Sequence, residues 1–113
     1  MNSALTLIAW AEAELHDQYL HLLAARGGEY LSESVLLYGA DDVIERNETY
    51  ESKVYCPGFL TIGDDGGGRA IVIALGKEPS PVYVVGHGSM SRDDFVQVAV
   101  NLSSWVSSGA PVD

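Results

Sequence analysis

Tyr55-Cys-Pro-Gly-Phe-Leu-Thr-Ile-Gly-Asp-Asp-Gly-Gly-Gly-Arg-Ala-Ile-Val-Ile-Ala-Leu75, followed by Pro81-Val-Tyr-Val-Val85, decides the fold. Phe59 to Ile62 and Arg69 to Leu75 are two β-rich runs separated by Gly63-Asp64-Asp65-Gly66-Gly67-Gly68. Pro81 to Val85 adds a third run after a Pro-containing link. Short apolar runs punctuated by Gly and Asp read as antiparallel strands joined by tight turns. Asp and Gly tolerate the positive φ values such turns require. The centre of the chain is therefore expected to be a meander with a hairpin tip at Gly63–Gly68.

Outward from this centre, Ala4, Ile8, Ala11, Leu15, Tyr19 and Leu22 recur at helical steps and predict one buried face. Asn2 or Ser3 is the candidate cap, and Gly27-Gly28 the end. Asp17 is itself a capping residue, so a break near His16 can divide the segment in two. Val35 to Tyr38 reads as a short strand, and Asp41 to about Tyr50 as a second helical element. Ser91 is expected to cap a last helix whose core stripe is Phe95, Val98, Ala99, Leu102 and Val106. Gly109-Ala110-Pro111 ends the order and leaves a short tail. Helices at both ends of a meander predict a single α+β domain over residues 1–113, with N- and C-terminal helices packed on a central antiparallel sheet.

Sixteen acids against six bases give a net charge of −10 over 113 residues. Binding to nucleic acid or anionic lipid needs Lys and Arg to neutralise phosphate, so this balance argues against both partners. It favours solubility and a basic protein partner. One cysteine, Cys56, precludes an internal disulfide and fits a reducing compartment. Glu12 and Glu14 interrupt the N-terminal apolar run and no basic residue precedes it, unlike a signal peptide. With no run of membrane-spanning length, the expectation is a cytosolic protein.

The candidate chemistry is sparse. A phosphate cradle needs amides leading into a helix, usually with a Lys, whereas Gly63–Gly68 leads into a strand and carries two carboxylates. A calcium loop needs alternating oxygen ligands and a distal Glu, and here only Asp64 and Asp65 are adjacent. His16 and His21 are five apart, off the spacing that puts two imidazoles on one helix face. No cofactor is expected. Cys56 with His87 would be the one nucleophile–base pair, but Cys56-Pro57 matches no nucleophile motif. Trp10 and Trp105 sit at helical spacings and read as core or core-edge aromatics. Asp41, Glu45 and Glu48 align as one acidic helical stripe, either a solvated face or a docking patch for a protein partner.

Taken in order, these segments resemble the SUKH superfamily, the group around the fungal Smi/Knr cell-wall regulators and many bacterial immunity proteins. Leu15-His16-Asp17-Gln18-Tyr19 with Leu22-Leu23 is similar to its Leu-Pro-x-x-Tyr helix start, and Arg26-Gly27-Gly28-Glu29 to its Asn-Gly-Gly helix end. Asn47 resembles its helix-ending Asn. Pro57 through Gly68 and Pro81-Val82-Tyr83 resemble its signature sheet, and Phe95 to Trp105 its last helix. His16 stands where Pro is usual, and Arg26 where Asn is common. The resemblance implies an α+β fold without catalytic residues and a protein-binding role. Bacterial members typically neutralise a cognate toxin, often a basic nuclease, by direct binding; the alternative is a regulatory or scaffold module for a cellular protein. An enzyme built on Cys56 and His87 is the third reading.

Overall fold

A five-stranded antiparallel sheet in sequential order β1-β2-β3-β4-β5 organises the chain, as the meander reading requires. The computed structural model describes residues 3–113, with side chains from residue 5 onward. In chain order the elements are α1 (Ser3–Ala11), α2 (Asp17–Arg26), β1 (Leu36–Leu37), α3 (Val43–Thr49), α4 (Ser52–Tyr55), β2 (Phe59–Asp64), β3 (Arg69–Ala74), β4 (Val82–Gly86), β5 (Val96–Ala99) and α5 (Leu102–Ser107). This is the α+β architecture expected from the sequence.

Strand alternation produces two cores. Leu60 and Ile62 of β2, Ile71 and Ile73 of β3, and Val82 and Val84 of β4 point to one face, where Leu7, Leu15, Tyr19, Leu23, Val43, Leu102 and Trp105 pack on them. The intervening residues Ala70, Val72 and Val85 point the other way, into a smaller core closed by Cys56 and Met90. Phe59, Tyr83 and Phe95 rim that core in edge-on and tilted ring contacts 5.1–6.0 Å apart, and Arg92 lies 5.4 Å over Phe59.

The hairpin between β2 and β3 is held by its own aspartates. Asp64 Oδ1 accepts from the Gly66 amide at 2.9 Å, and Asp65 Oδ1 from the Gly67 and Arg69 amides at 2.8 and 3.0 Å. Arg69 Nε donates to Asp65 Oδ2 at 2.7 Å. Gly63 serves a different purpose. It lies at an irregularity in the β2–β3 register, and a Cβ there would overlap the carbonyl oxygen of Leu36 in the neighbouring strand. Glycine is the residue that lets β1 approach this closely.

Four expectations need correction. The N-terminal segment does break at His16, but Glu12, at a left-handed φ of 55°, ends α1 and shifts the buried face to Leu7, Ala11, Leu15, Tyr19 and Leu23. Ile8 and Leu22 are only partly buried. His16, rather than Asp17, occupies the position before α2, and no side chain caps that helix; of the caps expected for α1, Asn2 lies outside the described residues and Ser3 is already the first residue of the helix. The helix expected from Phe95 to Val106 is instead strand β5 followed by the short α5, which Asn101 caps by accepting from the Ser104 amide at 2.9 Å. Ser91 caps only a single 3-10 turn, Arg92–Asp94. The C-terminal residues are no loose tail: Ala110 is buried, Pro111 accepts from Trp105 Nε1 at 2.8 Å, and Arg69 Nη1 donates to Val112 and Asp113.

Candidate functional site

Of the expected docking patch, α3 holds Glu45 and Glu48 while Asp41 lies in the turn before it, and one buried side chain sets the placement of α3 and of α4 after it. Val43 and Asn47, four apart, turn toward the sheet and leave Glu45 and Glu48 outside. Asn47 Nδ2 donates to the carbonyls of Val43 and Thr61 at 2.7 and 2.8 Å, while its Oδ1 accepts from the Thr61 amide at 2.8 Å and the Ser52 hydroxyl at 2.7 Å. Beyond Tyr38, whose amide donates to Ile62, β1 no longer accompanies β2, and the Asn47 carboxamide takes its place on that edge. All four of its bonding positions are filled, so α3 docks in one register.

The expected acidic stripe is only partly helical. Asp41 lies in the turn before α3, exposed and without a side-chain partner among the described residues; Glu45 and Glu48 lie on the helix. Glu45 approaches Arg46 at 3.6 Å. Glu48 accepts from Trp10 Nε1 at 3.3 Å, which ties α3 to α1. Lys53 is engaged as well: its ammonium donates to the Trp10 carbonyl at 2.6 Å, sits 4.3 Å from the Trp10 ring centre and reaches Glu12 at 3.8 Å. Trp10 is thus a half-buried, core-edge anchor between helices, and Trp105 is the fully buried core tryptophan, as their helical spacings suggested.

α4 adds what the charge pattern did not reveal. Glu51, at a left-handed φ of 54°, reverses the chain after α3, and Ser52 and Cys56 then face inward. Their burial leaves Val54 and Tyr55 outward, 69% and 53% exposed. Between residues 41 and 55 this face combines five carboxylates, Asp41, Asp42, Glu45, Glu48 and Glu51, with two bases and two exposed apolar side chains.

The other candidates are not assembled into a site. Cys56 is buried in the smaller core, and burial pushes its thiol up, away from the thiolate a nucleophile needs. His87 stacks on Tyr50 at 4.3 Å and its amide donates to Gly68; no hydrogen bond joins it to Cys56. Asp64 Oδ2 accepts from the Tyr38 hydroxyl at 2.7 Å, so both hairpin aspartates are occupied within the fold. Burial, with the Tyr50 and Asp64 hydrogen bonds behind it, pushes the Tyr38 hydroxyl up and keeps it a donor. His16 is buried with neither ring nitrogen bonded, and His21 is exposed, so the two do not converge. No group of three His, Cys, Asp or Glu side chains among the described residues is arranged to hold a metal ion. Open grooves also occur on the surface of the described residues. One, of about 340 Å³, is lined by Gln18, His21, Leu22, Leu102, Ser103 and Val106; another, of about 370 Å³, lies below the α1–α2 junction and is flanked by the Glu14–Lys77 pair.

No helix among the described residues is long and apolar enough to cross a membrane. Neither a protein-family model nor any curated protein matches the chain.

Proposed function

We propose that this chain is a non-enzymatic protein-binding domain whose α3–α4 face docks a basic partner. The observation that carries the reading is the pair Val54 and Tyr55 of α4, exposed on an acidic surface although Ser52 of that helix and Cys56 just after it are buried. Apolar contact at the centre with charge around it is the usual division of labour at an interface: the first provides affinity, the second speeds encounter. The buried, unactivated thiol of Cys56 supports a binding role over a Cys–His enzyme.

The SUKH resemblance narrows the partner to a toxin domain, and the net charge of −10 matches the basic surface of a nuclease. On this reading the chain is an immunity protein, acting in the cytoplasm, that covers the toxin's active site or a neighbouring surface. The test is co-expression with basic nuclease toxin domains, together with binding measured on the purified pair. Val54→Asp combined with Tyr55→Ala should weaken binding by at least about tenfold, because both side chains belong to the apolar centre of the contact. Thermal stability should stay within a few degrees, since neither side chain is buried. Full affinity and full protection in that double variant would overturn the assignment of this face.

A further inference from the structure

The two edges of the sheet are finished differently. On the β1 side every exposed stretch is covered. The Leu37 amide donates to Glu29 and its carbonyl accepts from Gly28, the Leu31 amide donates to Val35, Tyr30 bridges Leu36, and Asn47 completes β2 at Thr61. On the opposite side, β5 pairs with β4 through Val96–Val84, Gln97–Tyr83 and Ala99–Val82. Among the described residues no backbone or side-chain group bonds its other edge.

That open edge has an adhesive composition. Phe95-Val-Gln-Val-Ala-Val100 contains no charge, proline or glycine, the devices that usually blunt an edge strand. Val96 and Val100 are 61% and 66% exposed. The register irregularity at Val98 limits the regular run, so the edge suits a short added segment better than continuous stacking. Unpaired amides and carbonyls in a row are satisfied by another extended backbone, which fixes the shape of the occupant.

Charge fixes its chemistry. Asp93 and Asp94, both exposed, stand in the turn just before Phe95 and the strand and outnumber Arg92 beside them, which is turned over the Phe59 ring; a second copy of the chain would bring another −10 to the contact. We infer that the outer edge of β5 is a second docking surface, which accepts a short extended segment of a basic protein as a sixth, antiparallel strand. The incoming segment places one apolar residue beside Val96 and another beside Val100, which the extra residue at Val98 puts on the opposite face of the strand. Because it runs antiparallel, its Lys or Arg residues follow the apolar ones and meet Asp93 and Asp94. This surface lies at the other end of the sheet from β2, on which α3 and α4 pack, so it stands or falls separately from the face carrying Val54 and Tyr55.

The probe is a synthetic peptide of alternating threonine and valine ending in two lysines, added to the full chain. Hydrogen exchange should slow at backbone amides between Phe95 and Val100. Val96→Ser with Val100→Ser, two exposed positions, should weaken binding by about tenfold, as should replacing the peptide's lysines with glutamates. A proline in the middle of the peptide should abolish binding, because it removes a donor and breaks the strand. Val54→Asp should leave peptide binding unchanged. Protection that appears elsewhere while residues 95–100 exchange as before would overturn the inference. So would concentration-dependent self-association in sedimentation that the Val96→Ser, Val100→Ser pair abolishes, because the occupant would then be a second copy.

Discussion

Replacing Asn47 with Ala tests whether one carboxamide positions the acidic helix. The substitution removes four hydrogen bonds of 2.7–2.8 Å and leaves the Thr61 amide and carbonyl facing an apolar methyl at a buried strand edge. Each unsatisfied buried group costs about 1–3 kcal/mol. The Ser52 hydroxyl can turn to another acceptor, and alanine's better helix propensity returns roughly 0.6 kcal/mol. The expected net loss is about 3 kcal/mol, a large share of the ~5–15 kcal/mol available to a domain. In melting temperature it is a fall of roughly 10–20 °C. Asn47→Asp keeps both acceptors but loses both donors and turns a carboxylate toward the carbonyls of Val43 and Thr61. Its loss at neutral pH should at least equal that of the alanine variant, and should ease in acid as the carboxylate takes up a proton. Urea unfolding followed by the fluorescence of the buried Trp105 measures both variants. A loss under about 1 kcal/mol for Asn47→Ala, with the denaturant slope unchanged, would refute the view that this side chain completes the sheet edge.

Reversing Asp41 and Glu45 to Lys should slow association with a basic partner by at least about tenfold at low salt, with the difference fading as salt is raised; stopped-flow mixing reads both effects. Glu48→Lys should behave differently and also loosen α1, because it removes the acceptor of Trp10 Nε1. Gly63→Ala should destabilise by roughly 2–4 kcal/mol through its clash with Leu36, and Gly66→Ala by about 1–2 kcal/mol through its positive φ of 72°. Gly67→Ala, whose Cβ would meet only the Asp65 carboxylate at 3.6 Å, should stay within about 0.5 kcal/mol, and chemical denaturation separates the three. His16 is held below the ordinary imidazole range by burial, against the opposing pull of Asp17. The unfolded chain therefore binds the proton more readily, and stability should be full above about pH 6.5 and fall as pH drops below it. A melting series in His16→Phe should lack that fall.

The central hairpin and β4 were legible because β-branched runs bounded by Asp-Gly and Pro leave few alternatives. The C-terminal segment departs from its helical pattern because it carries two periodicities at once. Phe95, Val98, Ala99, Leu102 and Val106 fit a helix, while Val96, Val98 and Val100 alternate as a strand does, and the adjacent β4 gives the second pattern a ladder to join. Asn101 was the sign of a helix starting later. The acids at Asp41, Glu45 and Glu48 were legible as charge but not as geometry, since a turn rather than a helix carries Asp41. Nothing in the sequence marks Val54 and Tyr55 as exposed, because apolar residues ordinarily read as core. Their exposure follows from Glu51 reversing the chain and from Asn47 drawing Ser52 inward, neither of which periodicity encodes.

The sequential strand order has a kinetic consequence. Every ladder joins strands adjacent in sequence, and the β2–β3 hairpin closes over the four residues 65–68. The contact between α2 and α5, by contrast, includes Gln18 bonding the Ser103 amide across 85 positions. Loop-closure entropy grows with the logarithm of length, so bringing those two helices together costs about 2.7 kcal/mol more than closing the hairpin. The meander is therefore expected to form in the folding transition state while the two ends of the chain still diffuse. Substitutions at Ile71 or Ile73 should then slow folding, whereas those at Leu102 should mainly speed unfolding.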